Sequence, residues 1–170
     1  VVSTQKNKAI YVTQVHDVVD YELHQRILAA HKKLPDTTHI AGYEMDDYFP
    51  GGYLRVDADG RLVGIVEKPG AENRPSNLVN IVAHLHADAT VLYDAIKAEY
   101  ASDAPGDDHD ERAMDVLMQS HEYRVVAYNG EWNALKYPWH VLDIMNYYLS
   151  QIDGQDIADD AFIAEGASVV

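Results

Sequence analysis

The chain lacks cysteine and is short of basic residues, and each shortage excludes a class of function. Its 170 residues include no cysteine, which excludes disulfide bonds and thiolate catalysis. Only 13 Lys and Arg residues stand against 28 Asp and Glu residues, so the formal net charge is −15. A surface of that charge repels nucleic-acid backbones and anionic membranes, so we expect neither as a partner.

Long apolar runs are also missing. No run approaches the roughly 18 residues that a membrane-spanning helix needs. The first residues, "VVSTQKNKAIYV", lack the basic-then-apolar order of a signal peptide. These absences predict a cytoplasmic protein. The chain begins without methionine and ends abruptly on "EGASVV", which predicts that it is a fragment of a longer protein.

The chain does contain an alternation of strand and helix patterns. The β-branched run Ala9–Val15 predicts a buried strand that leads into Asp17. A helix is predicted over residues 20–34, with Asp20 as its cap and Pro35 as its stop. The other patterns predict strands at 38–45, 78–86 and 123–128, helices at about 88–100 and 110–120, and a long helix from Pro138.

A hairpin is the clearest local signal. Two strand-like runs flank Asp59-Gly60, a pair that supplies the positive φ angles of a tight turn. The second run ends in "GIVEKPG", residues 64–70, where an acid and a base stand side by side. Strands, helices and a hairpin together predict an α/β domain with a mixed sheet.

The last residues follow a different pattern. In "FIAEGASVV", Ile163 and Val169 are six residues apart with Glu165, Gly166 and Ala167 between them. This spacing is typical of one hexapeptide rung of a left-handed β-helix, and a plain terminal strand is the alternative.

The order of these motifs resembles a known family. After the Asp17 strand and its helix come "VDADGRLVGIVEKP", "SNLVNI", "DERAMDVL" and "NGEWNALKYPWHVLDIMNYYL". The series resembles the sugar-1-phosphate nucleotidyltransferases, in particular archaeal-type glucose-1-phosphate thymidylyltransferase and uridylyltransferase-like members with a C-terminal left-handed β-helix. The resemblance runs from about Ala9 to the end, and "VEKP" and "YPWHVL" are its most specific parts.

The resemblance implies a fold and a reaction. The family joins a sugar 1-phosphate to a nucleoside triphosphate, here UTP or dTTP, releases pyrophosphate and requires Mg²⁺. It implies that residues 1–153 form the sugar-binding part of a Rossmann-like mixed-sheet domain, and that residues 154–170 form a linker and the first β-helix rung. The family's N-terminal glycine-rich nucleotide-binding loop has no counterpart here. Stacked rungs make a homo-oligomer possible.

The resemblance also implies site residues. Asp17 would bind Mg²⁺, and Glu67 would accept hydrogen bonds from sugar hydroxyls. Lys68 would be the catalytic residue that contacts the sugar phosphate, since a compact ammonium suits a phosphate. Asn80 would bind the sugar. Because Pro69 ends the strand, the side chains of Glu67 and Lys68 can both turn toward one cleft.

Several positions depart from the family pattern. His16 replaces a glycine before Asp17, and Val82 replaces a glycine whose absence could narrow the sugar pocket. Ala134 stands where many members have a second metal-binding aspartate. The neighbouring Asn133 is the candidate substitute, because an amide oxygen can ligate Mg²⁺, although in a strand its side chain would point the other way. These departures allow a weakened activity.

Three further patterns have simpler interpretations. Asp57-x-Asp59 matches the Asp-x-Asp of metal-dependent glycosyltransferases, but it lies in an Asp-Gly turn. His84 and His86 share one strand face and suggest zinc, yet no cysteine supports them, so we expect core or surface histidines. The acidic run "DAPGDDHDE" is expected to be a solvated loop before a helix.

Two rival functions stay open beside the nucleotidyltransferase. The first is a binding or regulatory module that keeps the fold without catalysis, which Ala134 and Val82 allow. The second is a glycosyltransferase that uses a nucleotide-sugar donor.

Overall fold

The computed structural model describes residues 8–102, 105–106, 108–154 and 157–168. Eight strands and four α-helices form in this part of the chain, with one 3-10 turn at Ala71–Asn73. The strands are β1 (Ile10–Thr13), β2 (Asp17–Val19), β3 (Thr38–Glu44), β4 (Gly52–Val56), β5 (Leu62–Glu67), β6 (Leu78–His86), β7 (Tyr123–Tyr128) and β8 (Trp132–Ala134). The helices are α1 (Tyr21–Lys33), α2 (Ala89–Tyr100), α3 (His109–Met118) and α4 (His140–Ser150).

The main sheet is mixed, as the sequence predicts. Its strand order is β5-β4-β6-β3-β7, and β1 pairs with β6 beside this path. The β3–β7 pair is parallel, whereas β1–β6, β3–β6, β4–β5 and β4–β6 are antiparallel. Strands β1 and β4 share one edge of the long β6, since β1 pairs with residues 83–86 and β4 with Val79.

Helices cover both faces of this sheet. Leu23 and Ile27 of α1 are fully buried against β6 residues such as Ile81. On the other face, Leu92 of α2 and Met114 of α3 belong to the second core cluster. Each such side chain contributes about 1.5–3 kcal/mol to the free energy of unfolding when fully buried. No described helix is both long enough and apolar enough to cross a membrane.

The first strand is shorter than the sequence predicts. It ends at Thr13, and Val15 is fully exposed rather than buried. The chain turns at residues 14–17, where the Asp17 N–H donates to the Gln14 carbonyl at 3.3 Å. Asp17 then begins β2, which leaves the main sheet and pairs with β8. Asp17 therefore follows a turn instead of ending the first strand.

Asp20 precedes α1 as predicted, but its carboxylate does not cap that helix. The carboxylate accepts hydrogen bonds from the Tyr147 hydroxyl at 2.6 Å, the Tyr128 hydroxyl at 2.9 Å and the Glu131 N–H at 3.1 Å. The bond from Tyr147, followed by that from Glu131, lowers the pKa of Asp20. One carboxylate thus connects α1, α4 and the end of β7.

Helix α4 forms where the sequence predicts a helix, but it and the residues after it are largely exposed. The apolar residues along one side of this segment are exposed, with Leu142 at 57% and Ile152 at 67%. After α4 the described residues form turns and contain neither helix nor strand. The β-helix rung is therefore not confirmed; Ile163 is 45% exposed and Val169 lies outside the described residues.

Candidate functional site

One polar cavity collects most of the residues that the sequence singles out. Its volume is about 330 Å³, and Asp17, Glu67, Lys68 and Asn80 all line it. These four residues come from β2, from the end of β5 and from β6. The rest of the lining consists of Gln14, His16, Phe49, Pro50, Gly51, Gly52, Val82, Glu111, Trp132 and Lys136.

Glu67 and Lys68 both face this cavity because the backbone turns between them. Lys68 has a φ of +44°, the left-handed region that side chains other than glycine rarely adopt. This conformation breaks the alternation that would send adjacent strand residues to opposite faces. Lys68 Nζ then lies 3.2 Å from Glu67 Oε1. The Lys68 N–H donates to the Gly51 carbonyl at 3.1 Å, which anchors the turn.

Gly52 makes room for the Glu67 carboxylate. The two residues are cross-strand partners in the β4–β5 hairpin. A Cβ atom at Gly52 would lie 3.1 Å from Glu67 Oε2 and 3.0 Å from Ile65 Cγ2, which is tighter than ordinary contacts. A side chain at position 52 would therefore displace Glu67 from its place in the cavity.

Asp17 lies directly across from Ala134, the main departure from the family pattern. In the β2–β8 ribbon its cross-strand partner is Ala134, the position where the family pattern has a second carboxylate. Asp17 Oδ1 accepts a hydrogen bond from Trp132 Nε1 at 3.1 Å. The missing carboxylate thus leaves Asp17 with a methyl group as its neighbour.

Asn133 is not brought together with Asp17. Its Nδ2 donates to Glu131 Oε1 at 2.6 Å. It lines a neighbouring cavity of about 310 Å³, between Tyr43 and Trp132, and not the cavity that contains Asp17. Among the described residues there is no group of three His, Cys, Asp or Glu side chains that could hold a metal ion. Asn133 as a metal ligand stays a prediction.

Asn80 is held by a buried histidine. Its Oδ1 lies 2.9 Å from His84 Nε2, four residues further along β6. Burial is the main cause that lowers the pKa of His84 to about 3 and that of His86 to about 4. Both imidazoles are therefore neutral near pH 7, so each ring has one N–H donor and one acceptor nitrogen. The pair belongs to the core, as predicted, and the described residues give it no third metal ligand.

Two charged lining residues were not singled out from the sequence. Glu111 was assigned to a solvated acidic run, yet it is half-buried in the cavity, and burial followed by the charge of Glu67 raises its pKa. Helical spacing could have predicted this burial, because Glu111 lies three residues before the buried Met114 on the same side of α3. Lys136 was overlooked because it follows a short strand whose partner is distant in sequence.

The Asp57 pattern is turn chemistry, as predicted. Asp57 Oδ1 accepts hydrogen bonds from the Asp59 N–H at 2.9 Å and the Arg61 N–H at 2.8 Å. Both contacts lie inside the β4–β5 hairpin turn, and neither residue lines the cavity.

The chain is similar in sequence to known proteins. No family model matches the chain. Bifunctional protein GlmU of Methanococcus maripaludis strain C7 is 26% identical over 127 residues, which cover 69% of this chain and 30% of that protein. A bifunctional sugar-1-phosphate nucleotidylyltransferase/acetyltransferase of Sulfurisphaera tokodaii is 27% identical over 114 residues, which cover 66% and 27%.

A solved structure shares the fold. UTP-bound UGPase from Acinetobacter baumannii superposes with a TM-score of 0.70 at 16% identity, covering 86% of this chain and 53% of that one. The fold is therefore a Rossmann-like nucleotidyltransferase fold. The sequence matches confirm the predicted resemblance to the sugar-1-phosphate nucleotidyltransferases, and the chain spans about 30% of the length of these curated relatives.

Proposed function

We propose that this chain is the sugar-phosphate-binding part of a sugar-1-phosphate nucleotidyltransferase, which converts a sugar 1-phosphate and UTP or dTTP into a nucleotide sugar and pyrophosphate. One observation carries the proposal. Asp17, Glu67, Lys68 and Asn80 were singled out separately along the sequence, and all four line one cavity of about 330 Å³. The relatives named for this reaction, and a neighbour described as UTP-bound, support it.

Each residue has a task in that reaction. A phosphate oxygen of the sugar phosphate attacks the α-phosphate of the nucleotide and pyrophosphate leaves, so positioning and charge compensation are the protein's main contributions. The Lys68 ammonium binds the sugar phosphate and offsets its charge. Glu67 accepts hydrogen bonds from sugar hydroxyls, and its 3.2 Å contact with Lys68 keeps the carboxylate and the ammonium side by side. Asn80 binds the sugar beside them.

Magnesium belongs to the proposal with a reduced ligand set. Mg²⁺ is commonly held by one or two carboxylates together with substrate phosphates. Asp17 supplies one carboxylate, and Ala134 opposite it supplies none. The site therefore has the smallest number of carboxylate ligands that is common for Mg²⁺. When bound, the ion would supply positive charge between the two reacting anions. Asn133 would first have to turn away from Glu131 to contribute.

A binding or regulatory module is the second candidate. The Asp17–Ala134 pairing favours it, because loss of a metal ligand weakens catalysis more than it weakens sugar-phosphate binding. The glycosyltransferase alternative has lost its support, since Asp57 is occupied within its own turn.

A pyrophosphate-release assay separates the candidates. The protein, in the full length that its gene encodes, is assayed with a panel of sugar 1-phosphates and UTP or dTTP, with and without Mg²⁺. We expect release for at least one pair. Absence of release from every pair, together with sugar-phosphate binding by calorimetry, would leave the binding module; absence of both would remove the assignment.

Three further points are part of the same proposal. The chain divides into a domain at 1–153 and a linker with a β-helix rung at 154–170, it acts in the cytoplasm, and it forms a homo-oligomer. Light scattering after size-exclusion chromatography tests the last point. A monomeric mass at micromolar concentration would refute it.

A further inference from the structure

We propose that Lys136 is a second phosphate-binding residue of the cavity. Its positive charge would bind the phosphate beside Ala134, where no second carboxylate is present to hold a metal ion. The inference rests on the proposed function of the same cavity. It predicts that this site binds phosphate without a divalent cation.

Lys136 is close to the Asp17–Ala134 pair in the fold. It lies two residues beyond Ala134, the cross-strand partner of Asp17. It lines the same cavity as Asp17 and Lys68. The loop from Ala134 to Lys136 contacts His140, whose Nδ1 lies 2.6 Å from the Ala134 carbonyl oxygen and 3.2 Å from the Lys136 backbone nitrogen. Either Nδ1 donates to the carbonyl or it accepts from the N–H, so one hydrogen bond joins the ring to this loop.

The Lys136 ammonium lies over an aromatic ring. Lys136 Nζ lies 4.8 Å from the centroid of the Phe49 ring. The Phe49 ring in turn packs against Trp132 at a centroid distance of 5.2 Å. Within the described part of the chain Lys136 forms no ion pair with a carboxylate. An aromatic face orients a cation without neutralising it as a carboxylate would, so the ammonium keeps its charge and N–H donors for an anion.

Charged groups of both signs line the cavity. The cavity lining carries three carboxylates, on Asp17, Glu67 and Glu111, and two ammonium groups, on Lys68 and Lys136. Lys68 already contacts Glu67 at 3.2 Å. A phosphate monoester carries a charge of about −1.5 to −2 near pH 7, which one lysine shared with a carboxylate does not offset. Lys136 is the second positive charge of the lining and offsets part of the charge of the phosphate.

Calorimetry on the full chain tests the inference, with EDTA present and with Mg²⁺ instead. Glucose 1-phosphate and inorganic pyrophosphate are titrated separately. We expect the unaltered protein to bind at least one of them in EDTA, and Lys136→Met to weaken that binding at least tenfold. Lys97→Met, an exposed lysine of α2 outside the cavity, is the matched control and should leave it unchanged. The ligand that loses affinity identifies whether Lys136 binds the sugar phosphate or the leaving group.

A second variant tests the role of Ala134. Ala134→Asp restores a carboxylate beside Asp17, and we expect it to weaken binding in EDTA at least tenfold and to make binding depend on Mg²⁺. The inference is overturned if Lys136→Met binds both ligands as the unaltered protein does, or if the unaltered protein binds them only with Mg²⁺. If neither ligand binds under either condition, the proposed function is lost as well.

Discussion

Lys68 has a backbone conformation that costs free energy. Substitutions at this position can therefore separate the effect of its charge on activity from the effect of its backbone strain on stability. Its φ of +44° is a left-handed value that glycine adopts freely, whereas other residues pay about 1–2 kcal/mol. We expect Lys68→Gly to be about 1 kcal/mol more stable than Lys68→Ala in urea denaturation. Both variants should lower the rate of pyrophosphate release at least tenfold, or about 1.4 kcal/mol in activation free energy. Equal stabilities would contradict the left-handed backbone; an unchanged rate would place the ammonium outside the site.

Residues differ in how far the sequence alone could assign them. Glu67, Lys68 and Asn80 were assigned because short motifs carry them, and the cavity brings them together. Glu111 and Lys136 were missed, because they line the cavity only through the way α3 and β8 approach the sheet. That approach is decided by contacts between segments distant in sequence, which local patterns do not contain.

At the scale of elements, the β4–β5 hairpin positions Glu67 through Gly52. A methyl group at position 52 would meet Glu67 Oε2 at 3.1 Å and Ile65 Cγ2 at 3.0 Å. We expect Gly52→Ala to lower the free energy of unfolding by about 1–3 kcal/mol, as overpacking does. Affinity for glucose 1-phosphate should fall at least fivefold in calorimetry, whereas affinity for inorganic phosphate, which contacts no sugar-binding group, should change little. Parallel losses for both ligands would contradict the assignment of Glu67 to the sugar.

Helix α4 is anchored by a polar contact rather than by its apolar stripe. The Tyr147 hydroxyl donates to Asp20 Oδ1 at 2.6 Å, and the bond raises the pKa of Tyr147 to about 12. We expect Tyr147→Phe to lower the free energy of unfolding by about 1 kcal/mol, the low end for a bond to a charged group, because the contact is partly solvated. Tyr148→Phe is the matched control, since Tyr148 is exposed and should tolerate the change. Equal effects of the two substitutions would contradict the anchor.

At the scale of the whole molecule, strand pairing was less predictable than fold class. The mixed α/β arrangement followed from local patterns, and the hairpin from Asp59-Gly60. The β2–β8 ribbon did not, because its two strands are three residues each and lie more than a hundred residues apart in the chain. Short pairings of that kind are stabilised by tertiary context and leave no periodic signal. The Asp17–Ala134 relationship therefore became visible only in the structure.

Three buried histidines, His39, His84 and His86, make the stability of the whole fold depend on pH, because burial lowers the pKa of each. The folded-state pKa is about 3 for His84 and about 4 for His86, against an ordinary value of 6.5. The unfolded chain therefore binds more protons below pH 6.5, so the stability is fully present above that pH and is lost as the pH falls toward the folded-state values. Each histidine lowers the free energy of unfolding by up to about 1.4 kcal/mol per pH unit in this range.

Urea denaturation between pH 7 and 5 measures this loss, in a window above the range where most carboxylates titrate and relieve the self-repulsion of a chain with net charge −15. We expect His86→Phe to reduce the pH slope without abolishing it, because one neutral imidazole is gone while His39 and His84 stay buried. His121→Asn, a change at an exposed histidine, should leave the slope as it is. A stability that stays constant from pH 7 to 5 would show that the buried imidazoles can be protonated within the fold. The contact between His84 and Asn80 would then not depend on a neutral ring.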